Sequence, residues 1–206
     1  MSEKSSPRTR KLRTDGLRNR DLLLEAAKAA FAEIGADVPP GDVAKRAGVG
    51  IGTLYRHFPT RDALVAGVYA REVEQLSEAA VTLLEKHPAD EALALWLDRV
   101  IGYVAAKRVI IDVLQADTHG GAQLYGSSEA TLSEALRRLV DAARATGTLR
   151  AEICFEDVAR MMAGICSGTD QLGWEDSARR LLGVMMTGLR AAPRAPTPSP
   201  LPRSPA

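Results

Sequence analysis

The sequence predicts an all-α fold: an amino-terminal three-helix helix-turn-helix domain followed by a larger helical bundle. Three observations lead there. Val43 and Ala47, then Leu54 and Phe58, repeat an i, i+4 spacing on either side of Gly48, so two short apolar stripes flank a turn. From Ala89 onward apolar residues recur with a period of about 3.6 residues. No alternating strand pattern competes with either signal.

Taken in order, residues 1–17 read as a flexible basic arm, in which a solvated tail and a phosphate or minor-groove contact are both open. The first helix is expected from about Asn19 to Ile34, with Leu23, Ala27, Ala30, Phe31 and Ile34 on one stripe and Gly35 as its stop. Pro39 and Pro40 restart the chain, and a second helix ends at Ala47 before Gly48, a residue suited to the left-handed conformation. A short third helix spans about Ile51 to Phe58. Thr60 is placed to cap a fourth, with Asp62 near its positive end and Leu64, Val65, Val68, Tyr69, Val73 and Leu76 on its apolar side.

The first domain therefore covers 18–76, with the helix-turn-helix at about 39–58, and a second helical domain covers 77–192. In it, Leu93, Trp96, Leu97, Val100 and Val104 form one stripe, and Val109, Ile110, Val113 and Leu114 a shorter one. Residues 118–126 are glycine-rich and read as a loop. Ser127 or Ser128 would then cap a helix carrying Leu132, Leu136, Leu139, Val140 and Ala143 that stops near Gly147. Two amphipathic helices follow, at about 155–167 (Val158, Met161, Met162, Ile165) and 175–191, the latter with Trp174 at its start and Ala178, Leu181, Leu182, Met185 and Leu189 along it. Residues 193–206 hold six of the eleven prolines, a composition that reads as disordered.

At 206 residues and 46% hydrophobic content the chain has material for one good core, or one small and one medium domain. The net charge of +1 conceals an asymmetry: residues 1–71 carry 13 Lys and Arg against 8 Asp and Glu, and the rest 14 against 18. The basic part coincides with the helix-turn-helix. Cys154 and Cys166 bracket a helical stretch of about 18 Å, too long for a disulfide. No apolar run approaches a membrane span and no apolar signal core opens the chain, so a cytoplasmic protein is expected.

The second helix of the motif carries the chemistry. Gly52 permits close backbone approach, Thr53 is suited to a base edge or thymine methyl, and Arg56 to guanine or a phosphate. Lys45 and Arg46 read equally as a solvated face or a phosphate clamp. The run from Gly48 to Thr53 is not a dinucleotide loop, because position 53 is not glycine and no strand precedes it. His57, His87 and His119 are scattered, the cysteines lack ligand spacing, and no nucleophile–base signature is present, so neither a metal site nor an enzyme is expected.

The run from Arg20 to about Leu76, above all GVGIGTLYRHFPTRDAL, closely resembles the DNA-binding domain of the TetR family of bacterial transcriptional regulators. The resemblance implies that Tyr55 and His57 contact phosphates and that Arg61 stands where a lysine usually holds the backbone. Gly50 departs from the serine or threonine common in the family, leaving only a backbone N–H to serve there. It also implies that the second domain binds an effector and dimerises, the last two helices forming a four-helix bundle with a second copy. A pocket between the central helices would draw its lining from Trp96, Tyr103, Leu114, Tyr125, Met161, Met162 and Trp174, with Gln171, Asp117 or His119 as polar anchors.

The expected function is that of a homodimeric regulator, a repressor binding a palindromic operator in double-stranded DNA and released by a small-molecule effector, with no other cofactor. The alternative is a helical module that regulates through a protein partner and binds DNA weakly.

Overall fold

The computed structural model describes residues 7–35, 37–114, 121–168 and 172–191. The architecture is helical throughout. In chain order the elements are α1 (Pro7–Ile34), α2 (Pro40–Arg46), α3 (Ile51–His57), α4 (Arg61–Lys86), α5 (Ala89–Leu114), α6 (Gly121–Ala145), α7 (Phe155–Ile165), a 3-10 turn (Cys166–Gly168) and α8 (Trp174–Leu189). Among the described residues the only extended pairing is an isolated bridge between Leu149 and Arg190.

Two helices begin earlier than the apolar pattern suggested. α1 starts at Pro7 rather than Asn19, so residues 7–17 of the expected flexible arm are helical, and residues 1–6 lie outside the described residues. Leu, Arg and Lys are good helix formers, and a helix nucleated on its packed half propagates backward at little cost. α6 starts at Gly121, which makes 121–126 helical where a loop was expected; Ser128 is a buried interior residue, not a cap. The tail 193–206, the remainder of the 118–126 loop, and the side chains of Val109, Ile110 and Val113 lie outside the described residues. Ile34, expected on the core stripe of α1, is exposed.

Three hydrophobic clusters organise the chain. The first joins Leu23, Leu24, Ala27 and Phe31 of α1 to Val43, Leu54 and Phe58 of the motif and to Leu64, Val65 and Val68 of α4. The second is small: Tyr69, Val73 and Leu76 of α4 with Tyr103 of α5. The third and largest packs Ala79, Ala80 and Leu83 of α4 with Leu93, Trp96, Leu97 and Ile101 of α5, Leu136, Leu139 and Val140 of α6, Val158 and Met162 of α7, and Ala178, Leu182, Met186 and Leu189 of α8. One helix, α4, supplies residues to all three.

Thr60 caps α4 as expected, its hydroxyl accepting from the Ala63 N–H at 3.1 Å. The buried Trp96 indole donates to the Leu76 carbonyl at 2.8 Å, pinning α5 to the middle of α4. On α8 the core register is Ala178, Leu182, Met186 and Leu189, so Met186 rather than Met185 is the buried methionine. Leu181 and Val184 face outward, Val184 at 70% exposure.

Gly67 shows how tightly α4 meets the motif. A Cβ there would lie 2.7 Å from Cε1 of the buried Phe58 ring and 3.0 Å from a Leu24 methyl. Alanine would gain about 1 kcal/mol of helix propensity, against about 1–3 kcal/mol for overpacking a rigid site. Gly67→Ala is therefore expected to lower the thermal midpoint of the amino-terminal domain, and Gly67→Val to lower it further. An unchanged or raised midpoint would contradict this contact.

Candidate nucleic-acid interface

The turn between α2 and α3 is built from backbone. Gly48 adopts φ +68°, which a residue with a Cβ takes only under strain. Its N–H donates to the Lys45 carbonyl at 3.2 Å, and the Val49 N–H to the Ala44 carbonyl at 3.0 Å. This double closure satisfies the last carbonyls of α2 and aims the chain into α3. Val43, Leu54 and Phe58 are buried against α1, which holds α3 by one face only.

The opposite face of α3 is open. Gly50, Gly52, Tyr55 and Arg56 are exposed, and Thr53 and His57 are half-buried. Tyr55, 49% exposed, keeps its ring out of the core that receives Leu54 and Phe58. Gly50 caps α3 through its carbonyl, accepting from the Thr53 N–H at 2.9 Å, with no side chain to contribute.

The flanking cations have partners. Arg46 pairs with Glu33 of α1 at 2.7 Å, and Arg61 with Asp37 at 2.6 Å, while Lys45 is exposed. Both pairs lie at the surface, where such bridges contribute about 0–1 kcal/mol. Either arginine can therefore exchange its carboxylate for a phosphate at small cost. Glu33 and Asp37 are the contacts that sequence reasoning missed, since nothing in the local pattern couples them to positions 13 and 24 residues away.

A second feature lies in the carboxy-terminal bundle. A cavity of about 350 Å³ opens between α4, α5, α6 and α7, walled mainly by Tyr69, Trp96, Val100, Tyr103, Leu136 and Met162. Lys107, Glu129 and Ser133 add polar groups, and Cys166 lines it from the 3-10 turn. The Tyr69 and Tyr103 rings pack at 5.8 Å, and the Lys107 ammonium lies 5.7 Å from the Tyr69 ring centre. Of the lining residues expected from sequence, Trp96, Tyr103 and Met162 are on this wall. Met161 and Trp174 are not: each packs half-buried on the periphery of the large core, Met161 because it is one residue, or about 100°, off the Met162 register. The side chains of Leu114 and Tyr125, with Gln171, Asp117 and His119, lie outside the described residues. Tyr69 was legible only as core, because its partner Tyr103 is remote in sequence.

Family models account for both halves. Residues 23–68 match the bacterial regulatory proteins of the tetR family, and residues 88–191 match the SbtR-like transcriptional regulator C-terminal domain. The chain belongs to the TetR family. It is similar to the TetR transcriptional regulator SCO0520 of Streptomyces coelicolor, with 40% identity over 85% of this chain and 99% of that one and a TM-score of 0.76. A TetR transcription regulatory protein of Mycobacterium vanbaalenii is 33% identical over 87% of this chain and 99% of that one, with a TM-score of 0.74. The HTH-type transcriptional regulator SAB2452 of Staphylococcus aureus is 26% identical over 51% of this chain, a match spanning 58% of that protein's length. As a TetR-family member the chain is a DNA-binding transcriptional regulator, a family of regulators rather than enzymes. Among the described residues no helix is long and apolar enough to cross a membrane.

The two cysteines differ in what surrounds them. Asp157 accepts from both the backbone N–H (3.2 Å) and the thiol (3.0 Å) of Cys154 at the start of α7. That carboxylate, then Glu156, hold the Cys154 thiol above its ordinary pKa, and the same bonds hold Asp157 below its own. Burial raises the Cys166 thiol. Because the thiolate is the nucleophile, both should alkylate with iodoacetamide only at higher pH than a free thiol. Asp157→Asn is expected to shift the Cys154 profile downward and leave that of Cys166 in place; a shift of both, or of neither, would refute these causes.

Proposed function

We propose that this chain is a homodimeric repressor that binds a palindromic operator through α3 and is released when a small molecule fills the cavity between α4 and α7. The observation that carries the reading is the open face of α3. A short helix is held rigidly by Leu54 and Phe58 while Gly52, Thr53, Tyr55 and Arg56 remain accessible beside it.

In a helix-turn-helix of this geometry the second helix enters the major groove. Thr53 and Arg56 read base edges. Tyr55, His57, Arg61, Lys45 and Arg46 bind phosphates, the two arginines after release from Glu33 and Asp37, and Gly50 offers its N–H. Dimerisation uses α7 and α8, whose outer face exposes Leu181 and Val184 beside half-buried Met185. Two-fold symmetry then places two α3 helices one helical turn of DNA apart or farther, which favours a palindrome.

The effector is an apolar molecule with an aromatic or polarizable body, matched to the tyrosine and tryptophan walls. It acts by preferring a conformer with differently spaced reading helices, and operator and effector weaken each other reciprocally. No other cofactor is needed, and the site of action is the cytoplasm, where the DNA is.

Selection of bound sequences from random duplex DNA tests this. The full chain is expected to enrich a palindrome, with affinity falling steeply as salt rises. Tyr55→Ala removes a hydrogen bond to a charged group, about 1.5–3 kcal/mol, and should weaken binding roughly ten- to hundredfold without moving the preferred sequence. Recovery of no enriched sequence would overturn the proposal.

A further inference from the structure

We infer that the cavity between α4 and α7 is a site for an organic monoacid, whose polarizable body lies against Trp96 and Met162 and whose carboxylate meets the Lys107 ammonium. The inference deepens the proposed function and rests on its reading of this cavity as the effector site.

The cavity is graded from end to end. Its α5 wall runs from Trp96 through Val100 and Tyr103 to Lys107, a helical rise of about 16 Å. The facing wall belongs to α6, and packing fixes its register. Leu132 joins Tyr103 and Val104 in the middle cluster, while Leu136 joins Trp96 and Leu97 in the large core. Glu129 precedes Leu132 by one helical turn, and Lys107 follows Val104 by one. Both charges therefore stand at one end of the slot. At the other end Trp96, Leu97, Leu136 and Met162 are buried.

Burial decides which of the two charges a ligand meets. Glu129 is exposed and screened by water, whereas Lys107 is half-buried. The Lys107 ammonium lies 5.7 Å from the Tyr69 ring centre, within the aromatic part of the wall. A cationic ligand stacked on the same tyrosine would meet that ammonium as a like charge. A carboxylate instead gains a charge-assisted hydrogen bond, among the stronger kinds. Ser133, half-buried on the facing wall, adds a hydroxyl donor. A dianion such as a phosphate monoester fits less well. Lys107 is the one cation of the lining among the described residues, and Glu129 stands at the same end.

Isothermal titration calorimetry of the full chain with 4-phenylbutyrate, 4-phenylbutanol and 4-phenylbutylamine tests this, since the three share a body and differ in the charge of the head. The acid is expected to bind at least about tenfold tighter than either of the others. Val104→Trp, which fills the cavity, should abolish acid binding. Lys107→Met keeps an unbranched side chain without the charge and should shrink the acid-over-alcohol preference to below about threefold. Lys107→Arg should retain the preference. Thermal unfolding verifies that each variant folds.

Tightest binding by the amine would overturn the inference and make Glu129 the determinant. Equal binding of acid and alcohol, or binding of none of the three, would overturn it too. So would a preference that survives Lys107→Met, or acid binding that persists in Val104→Trp. Release from the selected DNA is read separately. Acid binding through Lys107 with DNA affinity unchanged would support the ligand class and overturn the effector reading of the cavity.

Discussion

Helix α4 cannot be assigned to one domain. Leu64, Val65 and Val68 close the core behind the helix-turn-helix, Tyr69, Val73 and Leu76 build the middle cluster, and Ala79, Ala80 and Leu83 enter the core of the bundle. An α-helix is stiff over such a length, and cores packed to crystal density do not deform smoothly. Displacement of its carboxy-terminal half is therefore felt at Gly67, where the backbone lies against Phe58 with no room for a methyl. Phe58 ends the reading helix. α4 thus links the bundle to the residue that ends α3, and the Lys28–Glu72 pair at 2.6 Å and the Gln75–Glu25 hydrogen bond at 3.1 Å tie it to α1.

The cavity is walled in part by this element. Tyr69 of α4 lines it directly, next to Tyr103 of α5, and Tyr103 also borders a second cleft shared with Lys28, Glu72 and Gln75 at the junction of the domains. On the proposed reading, an occupant that repositioned the tyrosine pair would act on α4, the helix packed behind the motif. The Trp96 indole, donating to the Leu76 carbonyl, ties α5 to α4 on the same wall. Coupling of this kind is commonly about 1–3 kcal/mol, enough to change occupancy of a DNA site substantially.

The amino-terminal domain was legible because its motif features are local: the i, i+4 pairs around Gly48, the Thr60 cap, and the accessible Gly52, Thr53, Tyr55 and Arg56 lie within short stretches of chain. The cavity was only half legible. Trp96 and Tyr103 announce themselves by size on one helix, whereas Tyr69, Lys107 and Glu129 join the wall through the packing of separate helices, which no periodicity encodes. Helix starts were misread for a different reason. Apolar stripes mark where a helix is packed, and α1 and α6 begin before their apolar stripes do. The same logic explains the methionine register on α8, where Met185 and Met186 are alike in sequence and only the bundle distinguishes them.

Filling the cavity from within tests the coupling without knowledge of the effector. Val104, half-buried on the cavity wall, is replaced by tryptophan in the full chain. Loss of binding of the apolar dye anilinonaphthalene sulfonate verifies that the cavity is filled, and thermal unfolding that the fold is retained. Affinity for the selected DNA is then measured. The account predicts a change of at least about fivefold, the lower end of ordinary coupling. Unaltered affinity with the cavity filled and the protein folded would contradict it, and α4 would then be a scaffold rather than a lever.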